Sequence, residues 1–278
     1  MQPIKLRPNH KIIVDRFVAA CQADARILGA FLGGSYATGT ADAHSDLDLC
    51  LITTDEAYEA FLAERKAFVH KLGEPLFLED FGTAYCDCFI LADRTEGEVS
   101  IGRASYYKHI YGGASIVLLD KVGILAGIDF PEHQADPTAQ LDTLHQLMMG
   151  FWHEIGHFNK ALAREQLWFA YGSLETMRQI CVHLARLRHN FADAHIGEEP
   201  YFKLEQAMPV EQIAPLQVTF CPLEAAAIRQ AGFVILQFYR EAATALAETH
   251  GLVYPAALDS LMTAQLTTSD QAHLPAAS

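Results

Sequence analysis

Two textures divide the chain. Up to about residue 130, short apolar runs alternate with helical stretches, and beyond it long helical periodicity takes over. Ile13, Phe17 and Cys21 recur at helical spacing and predict a helix over 10–26. Residues 27–32 form a short apolar run that ends in Gly33-Gly34, the pattern of a buried strand, and 47–53 predict a second. An amphipathic helix is expected over 55–72, capped by Thr53 or Thr54. Strands follow at 75–81, 83–91 and 98–103, the last two joined by a hairpin turn at 94–97. A further apolar run at 115–119 closes in the turn-like residues 120–123. Pro131 and Pro137 bracket a polar linker, after which helices are expected at 138–164, 166–190, 223–250 and 255–265. From Thr267 the tail has little to bury and is expected to fray. The fold class read from this pattern is α+β, with a mixed-sheet domain over 1–130, an all-α helical bundle over 137–266 and a flexible tail over 267–278.

Composition narrows the function. With 51% hydrophobic residues in 278, the chain can bury one or two sizeable cores and is not a solvated coil. Asp and Glu outnumber Lys and Arg 34 to 20, so the average field repels polyanions and attracts cations. Nucleic acid is therefore not an expected partner. The six cysteines are scattered through apolar runs and read as buried free thiols of a cytoplasmic protein. Cys86-Asp87-Cys88 lacks a second close pair, which argues against a zinc site there. No apolar stretch approaches the ~20 residues needed to span a bilayer, and the first residues lack a signal-like apolar core. The expectation is a soluble cytoplasmic protein without a membrane partner.

The chemistry concentrates in residues 31–52. Gly33 and Gly34 close a strand where backbone must approach something bulky or take positive φ, and Ser35 follows with a hydroxyl that opens a short helix. Exposed N–H groups at a helix start, with a hydroxyl, make a phosphate cradle. Asp46 and Asp48 are two apart on the next strand, so both carboxylates share a face while Leu47 and Leu49 face the core. Paired carboxylates repel unless a cation lies between them, and hard oxygen donors suit Mg²⁺ bridging to substrate phosphates. The plainer alternative is a glycine turn followed by a strand with one polar face.

Gly33-Gly34-Ser35 with Asp46-x-Asp48 resembles the signature of the DNA polymerase β-type nucleotidyltransferase superfamily, closely over 27–53 and in order of elements to about 123. The resemblance implies a nucleotidyltransferase domain followed by a helical domain. In it Gly33, Gly34 and Ser35 would hold a nucleoside triphosphate, Asp46 and Asp48 would bind divalent metal, and a third carboxylate would lie on a later strand. The chain is similar to small-molecule (aminoglycoside or lincosamide) antibiotic nucleotidyltransferases, which carry a Glu in a strand like Glu98-Val99-Ser100-Ile101. That likeness implies Glu98 as third metal ligand and as base for the acceptor hydroxyl. Asp87 competes for the role, its plainer reading being the solvated face of its strand. Implied throughout are Mg²⁺, ATP as donor of AMP, and a small hydroxylated, cationic acceptor, in a monomer or homodimer. One alternative keeps the chemistry but adenylylates a protein partner, as toxin–antitoxin enzymes do. Another is a degenerate nucleotide-binding module, against which the intact Asp46, Asp48 and Glu98 stand.

The helical half holds rival motifs. His153-Glu154-x-x-His157 matches the helical zinc-peptidase pattern, with Glu175 available as a third ligand, but 13 histidines make such matches easy by chance. The stretch Phe151-Trp152-x7-Lys160-x3-Arg164-Glu165 resembles the first helix-pair element of small-molecule nucleotidyltransferases, which implies aromatic packing and Lys160 as a nucleotide-binding cation. Arg178-x4-His183 resembles the ribonuclease motif of helical toxin domains. With Arg186, Arg188 and His189 on the same helix, it reads more simply as a basic solvated face. Glu175, Glu198, Glu199 and Glu205 could bind a polycation, and nothing in the sequence singles one out.

Overall fold

The computed structural model describes residues 5–131, 136–192 and 199–268. Glu198, the middle of the linker and the tail beyond 268 lie outside the described residues. The chain divides into two compact units, Met1–His133 and Gln134–Ser278.

The first unit runs α1 (Pro8–Ala23), β1 (Ile27–Leu32), α2 (Gly34–Thr38), β2 (Leu47–Thr53), α3 (Tyr58–Val69), β3 (Pro75–Glu79), β4 (Cys86–Leu91), β5 (Glu96–Arg103) and β6 (Ile116–Asp120). Its strands form one six-stranded sheet in the order β3-β4-β5-β2-β1-β6. β2 and β5 run parallel, and every other pairing is antiparallel, so the sheet is mixed.

Period-2 alternation sorts the side chains. Leu47, Leu49 and Leu51 of β2 join Leu32, Val99, Ile101 and Phe89 in a core that includes Phe17, Phe61 and Phe68 of α1 and α3. Each of those β2 leucines is fully buried, worth roughly 1.5–3 kcal/mol apiece. The intervening Cys50 and Ile52 belong to the opposite face, where Phe31, Tyr107, Leu125 and Phe130 cover them. Asp48 and Glu98 share that second face by alternation, in the half of the strands that precedes Cys50 and Ser100.

Several boundaries differ from the sequence reading, and each has a local cause. α3 starts at Tyr58 rather than 55, because Thr54 Oγ1 accepts from Ala57 N and Asp55 Oδ1 accepts from Ser105 N, which holds 55–57 in a turn. β3 stops at Glu79, where Asp80 Oδ1 accepts from Gly82 N and Phe81 takes φ 47°. The β4–β5 turn comes two residues early: Asp93 Oδ1 accepts from Thr95 N, Arg94 takes φ 67°, and β5 already begins at Glu96.

The second unit is helical: α4 (Pro137–Ala163), α5 (Leu167–His189), α6 (Leu204–Ala207), α7 (Ala214–Gln217), α8 (Ala225–His250) and α9 (Ala256–Thr268). Asp136 caps α4 by accepting from Thr138 N, and Pro137 occupies the first turn. The buried series Leu144, Met148, Phe151, Ile155, Phe158 and Leu162 is the apolar stripe of an amphipathic helix, packed against α5 and α8. A Cβ on Gly232 of α8 would meet Phe158 at 2.6 Å, so glycine sets the close approach of α8 to α4. Among the described residues no helix is long and apolar enough to cross a membrane.

Candidate active site

The parallel pairing of β2 with β5 puts Asp48 opposite Glu98, and the antiparallel pairing of β4 with β5 puts Cys88 on the other side of Glu98. All three line a cavity of about 440 Å³ together with Gly33, Gly34 and Tyr111. Three strands and the turn that follows β1 thus converge on one face, although Gly33 and Glu98 are 65 positions apart in sequence.

The glycine turn is built around Asp48. Gly33 N donates to the Asp48 carbonyl at 2.9 Å, which closes the end of β1 onto β2. Gly34 has φ +56°, and a Cβ there would fall 1.7 Å from Asp48 Oδ2. Glycine is therefore required twice over, by backbone conformation and by the space the carboxylate occupies. Helical bonding in α2 begins with Ala37 N donating to Gly33 O, so the N–H groups of 34–36 precede the first helical bond. Ser35 Oγ is buried and makes no hydrogen bond, an orphan hydroxyl that a ligand oxygen could satisfy.

Asp46 is exposed and sits one residue before β2 rather than within it. Arg7 donates to the carbonyls of Ala43 and Ser45 and so fixes the loop that carries Asp46, which, unlike Asp48 and Glu98, does not line the cavity. Arg7 also bonds His10 Nε2, while His10 Nδ1 pairs with Tyr36 Oη at 2.8 Å. His10 thereby ties α2 and the Asp46 loop to α1. Its burial and the adjacent guanidinium hold its pKa below the usual histidine value.

Asp87 overturns the expectation of a solvated strand face. Its side chain is buried on the helix-facing side of β4, in an ion pair with Arg65 Nε of α3 at 3.1 Å. Burial raises its pKa, with Arg65 opposing. On the cavity side of β4 stand Cys86 and Cys88 instead, and burial pushes the Cys86 thiol up to about 12. All six cysteines are free.

The second unit holds Lys160, exposed near the C-terminal end of α4. Trp152 is a core residue, edge-on to Tyr239 at 5.2 Å, and Phe151 stacks on the same ring at 3.7 Å. His153 and His157 lie with ring centroids 4.6 Å apart. Glu154 Oε1 lies 3.4 Å from His153 Nδ1, but among the described residues the two histidines and a third ligating side chain do not come mutually within 4.8 Å, and Glu175 is engaged by Arg178, Gln179 and Tyr201. The basic face expected on α5 is also corrected. Arg178 is buried, bonded to Thr219 Oγ1 and O at 2.8 Å and stacked 4.0 Å over Phe220, and Arg186 is buried with a bond to Pro200 O. Both guanidiniums donate to carbonyls, Thr219 O and Pro200 O, that lie outside the short helices of the segment joining α5 to α8.

A mixed sheet with a glycine turn folded over an acidic strand, and an acidic residue on the parallel neighbour, defines a nucleotidyltransferase fold. Residues 14–112 match the nucleotidyltransferase domain. Residues 94–268 match the streptomycin adenylyltransferase family, and since this is well over half of the chain, the chain belongs to that family. It is a nucleotidyltransferase enzyme, of a class that generally uses a nucleoside triphosphate and a divalent metal. Among solved structures it is similar to the crystal structure of an aminoglycoside 6-adenyltransferase from Bacillus subtilis, at 17% identity over 95% of this chain and 99% of that one, with a TM-score of 0.40. No curated protein matches the sequence.

Proposed function

We propose that the protein is a Mg²⁺-dependent adenylyltransferase that moves AMP from ATP to a hydroxyl of a small cationic acceptor of the aminoglycoside or lincosamide type. The observation that carries this reading is the register of Asp48 against Glu98, with Gly34 held against the Asp48 carboxylate. The donors fit the cation: Asp46, Asp48 and Glu98 offer only hard oxygens, which suit Mg²⁺. When bound, the cation supplies positive charge against the triphosphate.

The residues divide the remaining work. Gly33, Gly34 and Ser35 receive the triphosphate, the buried Ser35 hydroxyl donating to a phosphate oxygen. Asp46 and Asp48 hold the cation. Glu98 takes the proton of the acceptor hydroxyl as that oxygen bonds to the α-phosphorus and pyrophosphate leaves. Lys160 is a proposed further phosphate ligand on its sequence pattern alone. The formal charge of −14 supports a cationic acceptor, and free thiols support a reducing compartment, the cytoplasm.

Incubation with ATP, Mg²⁺ and a panel of aminoglycosides and lincosamides, read by mass spectrometry, tests the reading. Adenylylated drug supports it. Adenylylated protein would move the acceptor to a macromolecule, and an unmodified panel with no pyrophosphate release would refute it.

A further inference from the structure

The cavity face carries two thiols that nucleotidyl transfer does not use, and they stand beside Glu98, which it does. Cys86 and Cys88 alternate with Asp87 on β4, so both thiols emerge on the face that bears Glu98. The two Sγ atoms and a Glu98 carboxylate oxygen all lie within 4.8 Å of one another, and among the described residues no other group of three His, Cys, Asp or Glu does so. The sequence shows only an isolated C-x-C, because the third donor arrives ten residues later through the β4–β5 register.

Two sulfurs and one carboxylate do not suit Mg²⁺, which takes oxygen. They match the mixed S/O donors of zinc and cadmium, with a fourth tetrahedral position left for solvent. Glu98 is the shared element, flanked by Cys88 on one side and Asp48 on the other. A soft cation seated on the cysteines would engage the same carboxylate that faces the Asp48 side.

We propose that Cys86, Cys88 and Glu98 form a binding site for a soft divalent cation of the zinc type, and that filling it inhibits the enzyme by withdrawing Glu98. Binding exchanges the thiol protons, released to solvent, for S–metal bonds, with no redox change. The inhibitory half rests on the role given to Glu98 under the proposed function, whereas the binding half does not.

The test begins with reduced, metal-free full-length protein titrated with Cd²⁺, read by thiolate-to-metal charge-transfer absorption. One equivalent should saturate a two-thiolate band. Cys88→Ser, at a half-buried position, and Cys86→Ser should each weaken binding by at least ~10-fold. Asp48→Asn should leave the band intact, since its carboxylate is outside the set. In the transfer assay with excess Mg²⁺, Zn²⁺ should inhibit the wild type, and Cys88→Ser should need at least ~10-fold more Zn²⁺ for the same loss relative to its own zinc-free rate. A band that persists in the Cys86→Ser/Cys88→Ser double variant, or no band at all, overturns the site. A two-thiolate band with zinc-insensitive turnover overturns the inhibition. A protein that binds cadmium in this way but transfers no nucleotide supports the site and refutes the proposed function instead.

Discussion

Replacing Gly34 by alanine probes the site through a single methyl group. The added Cβ would lie 1.7 Å from Asp48 Oδ2 and 2.4 Å from its Cγ, so either the carboxylate or the turn must move. The backbone contributes its own penalty, because φ +56° costs a residue bearing Cβ roughly 1–2 kcal/mol. That is a loss of a few degrees in Tm, which leaves a folded protein. The chemical penalty is larger, because a displaced Asp48 no longer stands beside Glu98. Loss of one preorganised electrostatic group lowers kcat by roughly 10²–10³-fold. Gly33→Ala is the internal control: its Cβ would meet Asp48 Cβ at 3.6 Å, an ordinary contact, from a backbone with φ −101°. Thermal denaturation with steady-state kinetics on both variants reads the difference. Near-wild-type turnover in folded Gly34→Ala would refute the reasoning, and so would equal losses at 33 and 34.

Three further outcomes follow from the same geometry. Glu98→Gln should lower kcat by roughly 10²–10⁴-fold while calorimetry still detects ATP·Mg²⁺, since Asp46 and Asp48 keep their charges; unchanged turnover would remove Glu98 from the chemistry. Asp87→Asn should leave catalysis nearly intact and act on stability. The raised Asp87 pKa means that the folded state binds the proton more tightly, so the wild type loses stability as pH rises through the window above the normal carboxylate pKa. The variant should therefore gain on the wild type with rising pH, and the opposite slope in paired denaturation curves would contradict the assignment. Asp259→Asn should cost roughly 1.5–3 kcal/mol at neutral pH. Burial pushes the Asp259 carboxyl up, but hydrogen bonds from Arg240, Tyr254 and Thr263 outweigh it and hold the pKa low. The stability it supplies is present above the unfolded carboxylate pKa and lost as pH falls through the folded one, so variant and wild type should converge in acid.

Where an apolar run was bounded by turn residues, the sequence located the element well: β1 and β2 begin and end at the expected residues. Of the two aspartates read as sharing one strand face, Asp48 lies on β2 as expected, whereas Asp46 falls one residue before it, in a loop that strand period does not describe. What pairs Asp48 with Glu98 is different in kind. Fifty residues separate them, and the parallel β2–β5 register that joins them is set by tertiary packing. Asp87 misled because a carboxylate on a strand usually faces water, whereas its counter-charge, Arg65, comes from α3. Arg178 and Arg186 misled similarly: helical spacing groups them into a basic face, but the carbonyls that draw them inward, Thr219 O and Pro200 O, belong to the segment joining α5 to α8. The Cys86, Cys88 and Glu98 cluster required the antiparallel partner strand to be known.

In the proposed reaction the α-phosphoryl group of a nucleoside triphosphate, carrying its nucleoside, is joined to an acceptor hydroxyl under the control of Asp48 and Glu98. Its most direct test follows phosphorus label into the acceptor that the drug panel identifies, using ATP labelled at either the α or the γ position, with wild-type protein and Asp48→Asn. Adenylyl transfer puts α-label in the acceptor and γ-label in free pyrophosphate, and Asp48→Asn should lower the rate by at least ~100-fold. Label from the γ position in the acceptor, or α-label transferred equally well by a folded Asp48→Asn protein, would contradict it.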